Sequence, residues 1–474
     1  MRSAPDPAGR DLAANTLVAA LAAIVPCWWL GVEQVVPGMI ILLGAWRVWS
    51  SGELRRPAEL WPLALLGVWS LASMAALEGR ADWLIYVRGE SHLVVGLCAY
   101  ALASSVRPAS AGFERFLQSS LAFVAVVLVV GVLVMAGVLP FQLRSAISLG
   151  WPDFTTGSTF LDDFVLRRQL GTAAGVSLLP GFDRQSSFFL YQGGLATVLL
   201  MLQGWMLVAR HRLTGAWRHA ATAAVGVCLL LVVLTGSRSA TVLAWGVVGG
   251  LALWTAIAGR SWRRWAIRAV VGLGLIAALL AVIPVGDGTS LEHGAAWERA
   301  LTDFRVKSFL DRLEVYDQTL ERLRERPLTG WGIQGRPGER NRYLRLGTHS
   351  EPLNVAYRFG WVGLALWLSA GALYGRWLAA AAPRAERTAI VCVVAALAAT
   401  ALVRTFQWDL NVFWLVAVFL GSSRALLGGE RSGEGGEPDR ALSMLGADLD
   451  ALTIDDLHRE IARAVEGRRR VVIG

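Results

Sequence analysis

Charge is scarce in this chain: Asp, Glu, Lys and Arg make up 17% of its 474 residues, against 55% hydrophobic. The mean hydropathy of +0.49 lies far above that of a soluble enzyme, which excludes a soluble globular domain as the body of the chain. Cysteine is scarce too. Cys27, Cys98, Cys228 and Cys392 all fall in apolar runs, and none has a C-x-x-C partner, so neither a zinc site nor a disulfide framework is indicated. The sequence has no H-E-x-x-H motif and no Cys/His cluster, which leaves metal-dependent chemistry and a metal cofactor without support. It has no Walker A loop, which argues against ATP-driven transport. A small-residue cleavage pattern is missing after the first apolar run, so that run reads as a retained span. No internal repeat at solenoid periods is visible.

What the chain does have is apolar runs near the ~20 residues that cross a bilayer. They fall at 12–31, 34–50, 60–77, 89–105, 117–139, 187–208, 219–235, 239–258, 266–285, 353–375, 388–404 and 409–427. The expected fold is an all-α polytopic membrane protein of about 12 transmembrane helices. The weakest span is 34–50, which is short and carries Arg47. A net charge of +9 would suggest nucleic acid in a soluble protein; here the basic residues sit in alternate loops. One set of loops carries Arg47, Arg55 and Arg56; Arg107 and Arg115; Arg210, Arg212 and Arg218; Arg260, Arg263, Arg264 and Arg268; and Arg376, Arg384 and Arg387. The positive-inside rule makes these loops, and both termini, cytoplasmic. Two long loops, 140–186 and 286–351, mix acids and bases and fall outside, the second before the tenth span. The 21 tryptophans read as interfacial belt residues.

On that orientation the unusual polar residues gather on the outer face. Arg88 lies at the edge of the fourth span, and Arg184 closes the first long loop. Arg238 sits in a tight turn, Leu234-Thr235-Gly236-Ser237-Arg238-Ser239-Ala240, and His349 ends the second long loop. A planar guanidinium fork matches phosphate geometry. Each arginine could equally be a snorkelling anchor. A neutral imidazole can take a proton from a sugar hydroxyl near pH 7; the competing reading of His349 is a loop histidine without a role. Residues 308–326 place Phe309, Leu313, Tyr316, Leu320 and Leu323 at helical spacing, with Arg312, Asp317, Glu321, Arg322 and Arg324 opposite. That pattern predicts a one-faced helix on the membrane surface or over the bundle, ended by Pro327, Gly330 and Gly332. The run Arg336 to Arg345 has no clear period and reads as a lid.

The transmembrane region is expected to span 1–428. A linker of disordered composition follows at 429–440. Residues 441–474 then change character. Thr453 can cap a helix over 454–466, and Val471-Val472-Ile473 reads as a buried strand, giving a short α/β-like, strand–helix–strand cytoplasmic tail.

The motifs converge on a family. The run Leu234–Ala240 resembles the T-x-S-R motif of the O-antigen ligase and Wzy-type polysaccharide polymerase superfamily. Arg312-Leu313-Glu314-Val315-Tyr316 with Pro327-Leu328-Thr329-Gly330-Trp331-Gly332 resembles its helix and P-x-x-G-x-G turn. His349-Ser350-x-x-Leu353 with Gly360-x-x-Gly363 is similar to its H-N-x-x-L and G-x-x-G signature, Ser350 standing where Asn is usual. The resemblance covers roughly 184–375. It implies a metal-independent, inverting GT-C type glycosyltransferase with an undecaprenyl-diphosphate-linked glycan as donor. It also implies diphosphate binding by Arg238 and Arg312, with Arg184 and Arg88 in support, and His349 activating the acceptor hydroxyl. Separately, 445–474 resembles the opening of WecG/TagA-type glycosyltransferases, too little to carry over catalytic residues. The expected activity is polymerisation of lipid-linked repeat units at the periplasmic face of the bacterial inner membrane. Chain-length regulator and flippase proteins are the partners expected beside the bilayer, the glycan donor and a glycan or lipid acceptor. The alternatives are ligation to lipid A core or another acceptor, and, from a different class, a twelve-helix transporter or flippase. A transporter would show paired repeats with polar residues near the midplane.

Overall fold

A computed structural model of the chain describes residues 11–33, 35–140, 142–151, 167–169, 171–172, 184–185, 189, 192–235, 237–258, 312–334, 346–347, 349–381, 385–403 and 410–428. The expected span 266–285, the run Arg336 to Arg345, the linker and the 441–474 tail lie outside the described residues, as does most of both long loops. The chain divides into one compact unit, Met1–Leu426, and a second, Leu427–Gly474.

The first unit is a helical bundle. Its helices are α1 (Leu12–Leu30), α2 (Val36–Ser50), α3 (Leu60–Ser73), α4 (Gly79–Ser105), α5 (Ala111–Met135) and the one-turn α6 (Ala146–Gly150). They continue with α7 (Gln192–Arg212), α8 (Gly215–Leu234), α9 (Arg238–Ala258), α10 (312–323), α11 (Glu351–Ala380), α12 (Ala385–Val403) and α13 (Leu410–Gly428). Four of them are long and apolar enough to cross a membrane by length and composition: Leu12–Leu30, Ala111–Val134, Gly215–Leu234 and Leu410–Gly428. Val36–Ser50, Leu60–Ala76 and Ala240–Leu251 are shorter apolar helices. The lipid-facing character shows in side chains such as Trp46, Leu43, Val68 and Val242, all more than 60% exposed; water would not tolerate such a surface. Within the first long loop lie two short antiparallel pairs. Gln142–Arg144 (β1) pairs with Arg167–Gln169 (β2), and Gly171–Thr172 (β3) with Arg184–Gln185 (β4).

Polar contacts concentrate at helix ends, where the backbone leaves unpaired groups. At one end, Asp11 caps α1 through Ala14 N (3.0 Å) and also accepts from Ser110 Oγ (2.6 Å) and Arg107 N (3.0 Å). Arg107 reaches Glu53 (3.2 Å). Next to them, buried Glu59 takes Arg424 Nη1 at 2.6 Å and the Tyr100 hydroxyl, so the start of α3 is tied to the ends of α4 and α13. Trp377 of α11 lies under the Arg424 guanidinium (4.8 Å). Arg212 of α7 meets Glu386 of α12 (3.5 Å).

Two expectations change. The fourth helix begins at Gly79, not near 89, so Arg88 lies more than two turns inside it rather than at its edge. Helix α10 buries Val315, Thr319 and Leu323, while Leu313 and Leu320 stay 44% and 37% exposed. Its inner stripe is set by what it packs on, and a threonine that spends its hydroxyl on the Val315 carbonyl (2.6 Å) can be buried there.

Candidate active site

Helix α11 is not continuous. Gly360 has φ 70° and ψ −174°, which breaks the backbone ladder three residues after Tyr357. An unbroken helix would give Tyr357, Arg358 and Phe359 carbonyls the N–H groups of 361, 362 and 363. Here other donors take those places. Trp331 N donates to Tyr357 O (2.8 Å) and Gly332 N to Arg358 O (2.8 Å). The Trp69 indole donates to Phe359 O (2.9 Å). The freed Trp361 N–H goes to Pro327 O (2.7 Å). The Pro327–Gly332 turn therefore replaces the missing stretch of ladder. The replacement matters because each unpaired backbone group in an apolar setting costs about 1–3 kcal/mol. The glycines make the approach possible: a Cβ on Gly360 would sit 1.9 Å from Leu328 O, and one on Gly330 would sit 2.5 Å from the Arg358 carbonyl carbon. Both have positive φ, 70° and 67°.

The side chain at the break is Arg358. It is buried, and its Nη2 lies 3.1 Å from Glu90 Oε1 of α4. Its Nε donates to Gly332 O at 3.2 Å. Glu90 Oε2 accepts from Ser70 Oγ of α3 (2.8 Å), and Tyr86 OH reaches the same hydroxyl (3.3 Å). Arg358 also lies over the Phe359 ring (4.5 Å), and Gly89 leaves it room, since a Cβ there would be 2.3 Å from Nη2. One guanidinium thus binds α11, α4 and the turn together. Such a pair holds in a dry bundle because its remaining donors and acceptors are also satisfied.

His349 stands just before α11. Its φ is 63°, and it is the single non-glycine residue with positive φ among the described residues. That conformation costs on the order of 1–3 kcal/mol and persists only where neighbours hold it. Two hydrogen bonds from α10 hold the turn. Tyr316 OH donates to His349 O (2.7 Å), and Gly347 N donates to Thr319 Oγ1 (3.0 Å). Arg312 opens α10 one turn before Tyr316. Burial pushes the Tyr316 phenol above its ordinary range, and the Arg312 charge pulls it partly back, so the phenol remains a donor at neutral pH. Behind the turn, Gln334 Nε2 donates to Asn354 Oδ1 (2.7 Å) inside the fold. Asn354 supplies an amide one helical turn beyond Ser350, and its Nδ2 has no hydrogen-bond partner among the described residues.

Of the residues singled out from the sequence, Arg312 lies on α10, and the same helix binds the His349 carbonyl through Tyr316, one turn after Arg312. Arg88 lies on α4, two residues before Glu90 and so on a different face of that helix. Arg184 enters by its backbone, paired with Thr172. Arg238 is the first residue of α9, after a turn in which Ser237 N donates to Thr235 Oγ1 (3.2 Å) and Thr241 Oγ1 donates to Ser237 O (2.9 Å). The side chains of Arg184 and Arg238 lie outside the described residues. Sequence reasoning missed Glu90, Arg358 and Thr319, and read Tyr316 as part of an apolar stripe and of the family's helix motif, without a role of its own. A signal for the first two was present: a charge inside an apolar span is costly and points to a partner.

No curated protein matches the chain. Residues 223–368 match the family model described as O-Antigen ligase. That stretch opens within α8, takes in the turn before Arg238, α10, the Pro327–Gly332 turn and His349, and ends past the break at Gly360. Over residues 223–368 the chain is therefore similar to the O-antigen ligase domain, a match that supports the O-antigen ligase and Wzy-type superfamily, and its long apolar helices support a membrane protein.

Proposed function

We propose that the protein is a GT-C type glycosyltransferase that moves a glycan from undecaprenyl diphosphate to an acceptor hydroxyl, and that it does so repeatedly, as a polymerase of lipid-linked repeat units. The observation that carries this reading is the match at 223–368, within which Tyr316, one helical turn after Arg312, binds the His349 carbonyl. In the reaction the acceptor oxygen bonds to the anomeric carbon with inversion while the bond from that carbon to the phosphate oxygen breaks. His349 takes the acceptor proton, and the electron pair leaves on undecaprenyl diphosphate. Arg238 and Arg312 hold the diphosphate, with Arg184 and Arg88 in support. Guanidinium groups placed where charge grows stabilise the transition state, and no metal is asked to do so. The Asn354 amide is proposed to serve where the family pattern has Asn and this chain has Ser350. The site would face the periplasm from the inner membrane, with the two termini cytoplasmic. The bilayer and chain-length regulator and flippase proteins are the proposed partners.

The family match is equally consistent with a second reading, ligation of the finished glycan to lipid A core or another acceptor. Gel profiles of cell-surface glycan from a deletion strain separate the two. Loss of chain length marks a polymerase, and loss of attachment marks a ligase.

The mechanism is tested by donor binding and transfer kinetics in nanodiscs. His349→Ala is expected to leave donor affinity intact and slow transfer about 10²–10⁴-fold, the usual worth of a general base. Arg312→Lys and Arg238→Lys keep the charge but lose the fork, and should weaken donor binding as well as rate. Parental turnover by His349→Ala would remove His349 from the mechanism.

A further inference from the structure

We propose that Tyr316 and Thr319 are positioning residues: they clamp the His349 turn onto α10, so one rigid helix sets the distance between the donor-binding arginine and the base. This rests on the reading of His349 as the base.

The argument starts from the backbone. A histidine at φ 63° does not hold itself there. Two backbone groups of the turn, the Gly347 N–H and the His349 carbonyl, are held by α10. On one side Gly347 N is anchored on Thr319 Oγ1, whose own proton is committed to Val315 O. On the other side Tyr316 OH anchors the His349 carbonyl. Thr319 is fully buried, so its hydroxyl faces no competition from water. Residues 312, 316, 319 and 323 share one face of a helix at i, i+4, i+7 and i+11. Arg312 therefore stands on the face that carries the clamp, and its charge is felt at the Tyr316 phenol. The base of the helix is fixed as well: Trp331 Nε1 donates to Arg322 O (3.1 Å), and the arginines Arg322 and Arg326 lie over the Trp331 ring (5.3 and 4.9 Å). Trp331 is also the residue that pairs with Tyr357 at the break in α11. A chain of direct contacts thus runs from the break in the membrane helix, through α10, to the carbonyl of His349. Loss of the phenol hydroxyl would remove an anchor of that carbonyl and let the imidazole drift, and a drift of an ångström is worth about 10²-fold in rate.

Tyr316→Phe keeps the ring and removes only the clamp; Thr319→Val removes the second anchor at nearly constant volume. Both are measured in nanodiscs with lipid-linked oligosaccharide extracted from the producing strain, at matched abundance, from pH 5.5 to 8.5, with thermal midpoints alongside. The expected result for Tyr316→Phe is a fall in kcat of about 10- to 100-fold with donor affinity unchanged within about twofold, and a double variant with His349→Ala no slower than His349→Ala alone. The pH profile should keep its shape at a lower plateau, because the titrating group is still present, whereas His349→Ala should flatten it. A parental kcat for Tyr316→Phe beside a slow His349→Ala overturns the clamp and leaves the base standing. Parental turnover by His349→Ala overturns the base and the clamp together. Lower midpoints with unchanged kcat per folded molecule reduce both residues to packing and overturn the proposal. Should Tyr316→Phe fail to accumulate, Thr319→Val carries the same test with the same outcomes.

Discussion

Two buried acid–arginine pairs stand at different places in the bundle, and they do different work. Glu59 and Arg424 join the start of α3 to the end of α13, with Tyr100 and Trp377 around them. Every helix they touch has an ordinary end there, and Arg424 keeps 22% of its side chain exposed. Glu90 and Arg358 join α4 to a helix whose ladder is broken, and Arg358 keeps only 5%. Its guanidinium also takes the Gly332 carbonyl, so the pair holds irregular backbone in place. The first pair staples regular elements together; the second maintains a departure from regularity, and the strained His349 and the free edge of Asn354 lie on the segments it holds. Irregular backbone within a membrane protein is tolerated only where it is packed in protein or lines a polar cavity, and at this break the Pro327–Gly332 turn and the Trp69 indole pack it.

The comparison can be broken most sharply at the glycine. Gly360→Ala would place a methyl group 1.9 Å from Leu328 O at a positive φ. The clash and the lost ladder replacement are expected to cost roughly 3 kcal/mol or more. Purified abundance and thermal midpoint should fall together, and an alanine variant of parental stability would show that the turn does not seal the break.

The next effect compares the two acids directly. Glu90→Gln leaves Arg358 charged and enclosed, and is expected to destabilise by about 3–5 kcal/mol. Glu59→Gln should cost less, because Arg424 can turn its head toward water. Replacing both partners, Glu90→Gln with Arg358→Met, should recover part of the loss. Equal midpoints for the two glutamine variants would erase the distinction drawn between the ends.

The smallest effect concerns which side each end faces. Reporter fusions at Gly335 and Gly433 are expected to be active on opposite sides of the membrane, the first outside and the second inside, without change in stability. Activity on one side for both would overturn the orientation and the outward-facing site with it.

The amino-acid sequence by itself determined where helices lie and which chemistry is at hand. Lipid as a solvent demands runs of apolar residues and allows few charges, so Leu12–Leu30 and Val36–Ser50 begin close to where hydropathy put them. Spaced motifs around Arg238, Arg312, Pro327–Gly332 and His349 pointed to the superfamily that the match at 223–368 supports. Periodicity was less secure where a helix packs by a hydroxyl: Thr319 is buried and Leu313 is not. What only the tertiary structure decided is which groups complete one another. Glu90 and Arg358 are 268 residues apart, and Trp69 and the Phe359 carbonyl 290; local pattern carries no information over such distances. A separate turn supplies the missing donors at the Gly360 break, and the turn that carries His349 is bound from another helix by Tyr316 at the His349 carbonyl and by Thr319 at Gly347 N. Hydropathy reports the solvent that each residue must meet, whereas hydrogen-bond satisfaction in a water-poor interior is settled by geometry among distant segments.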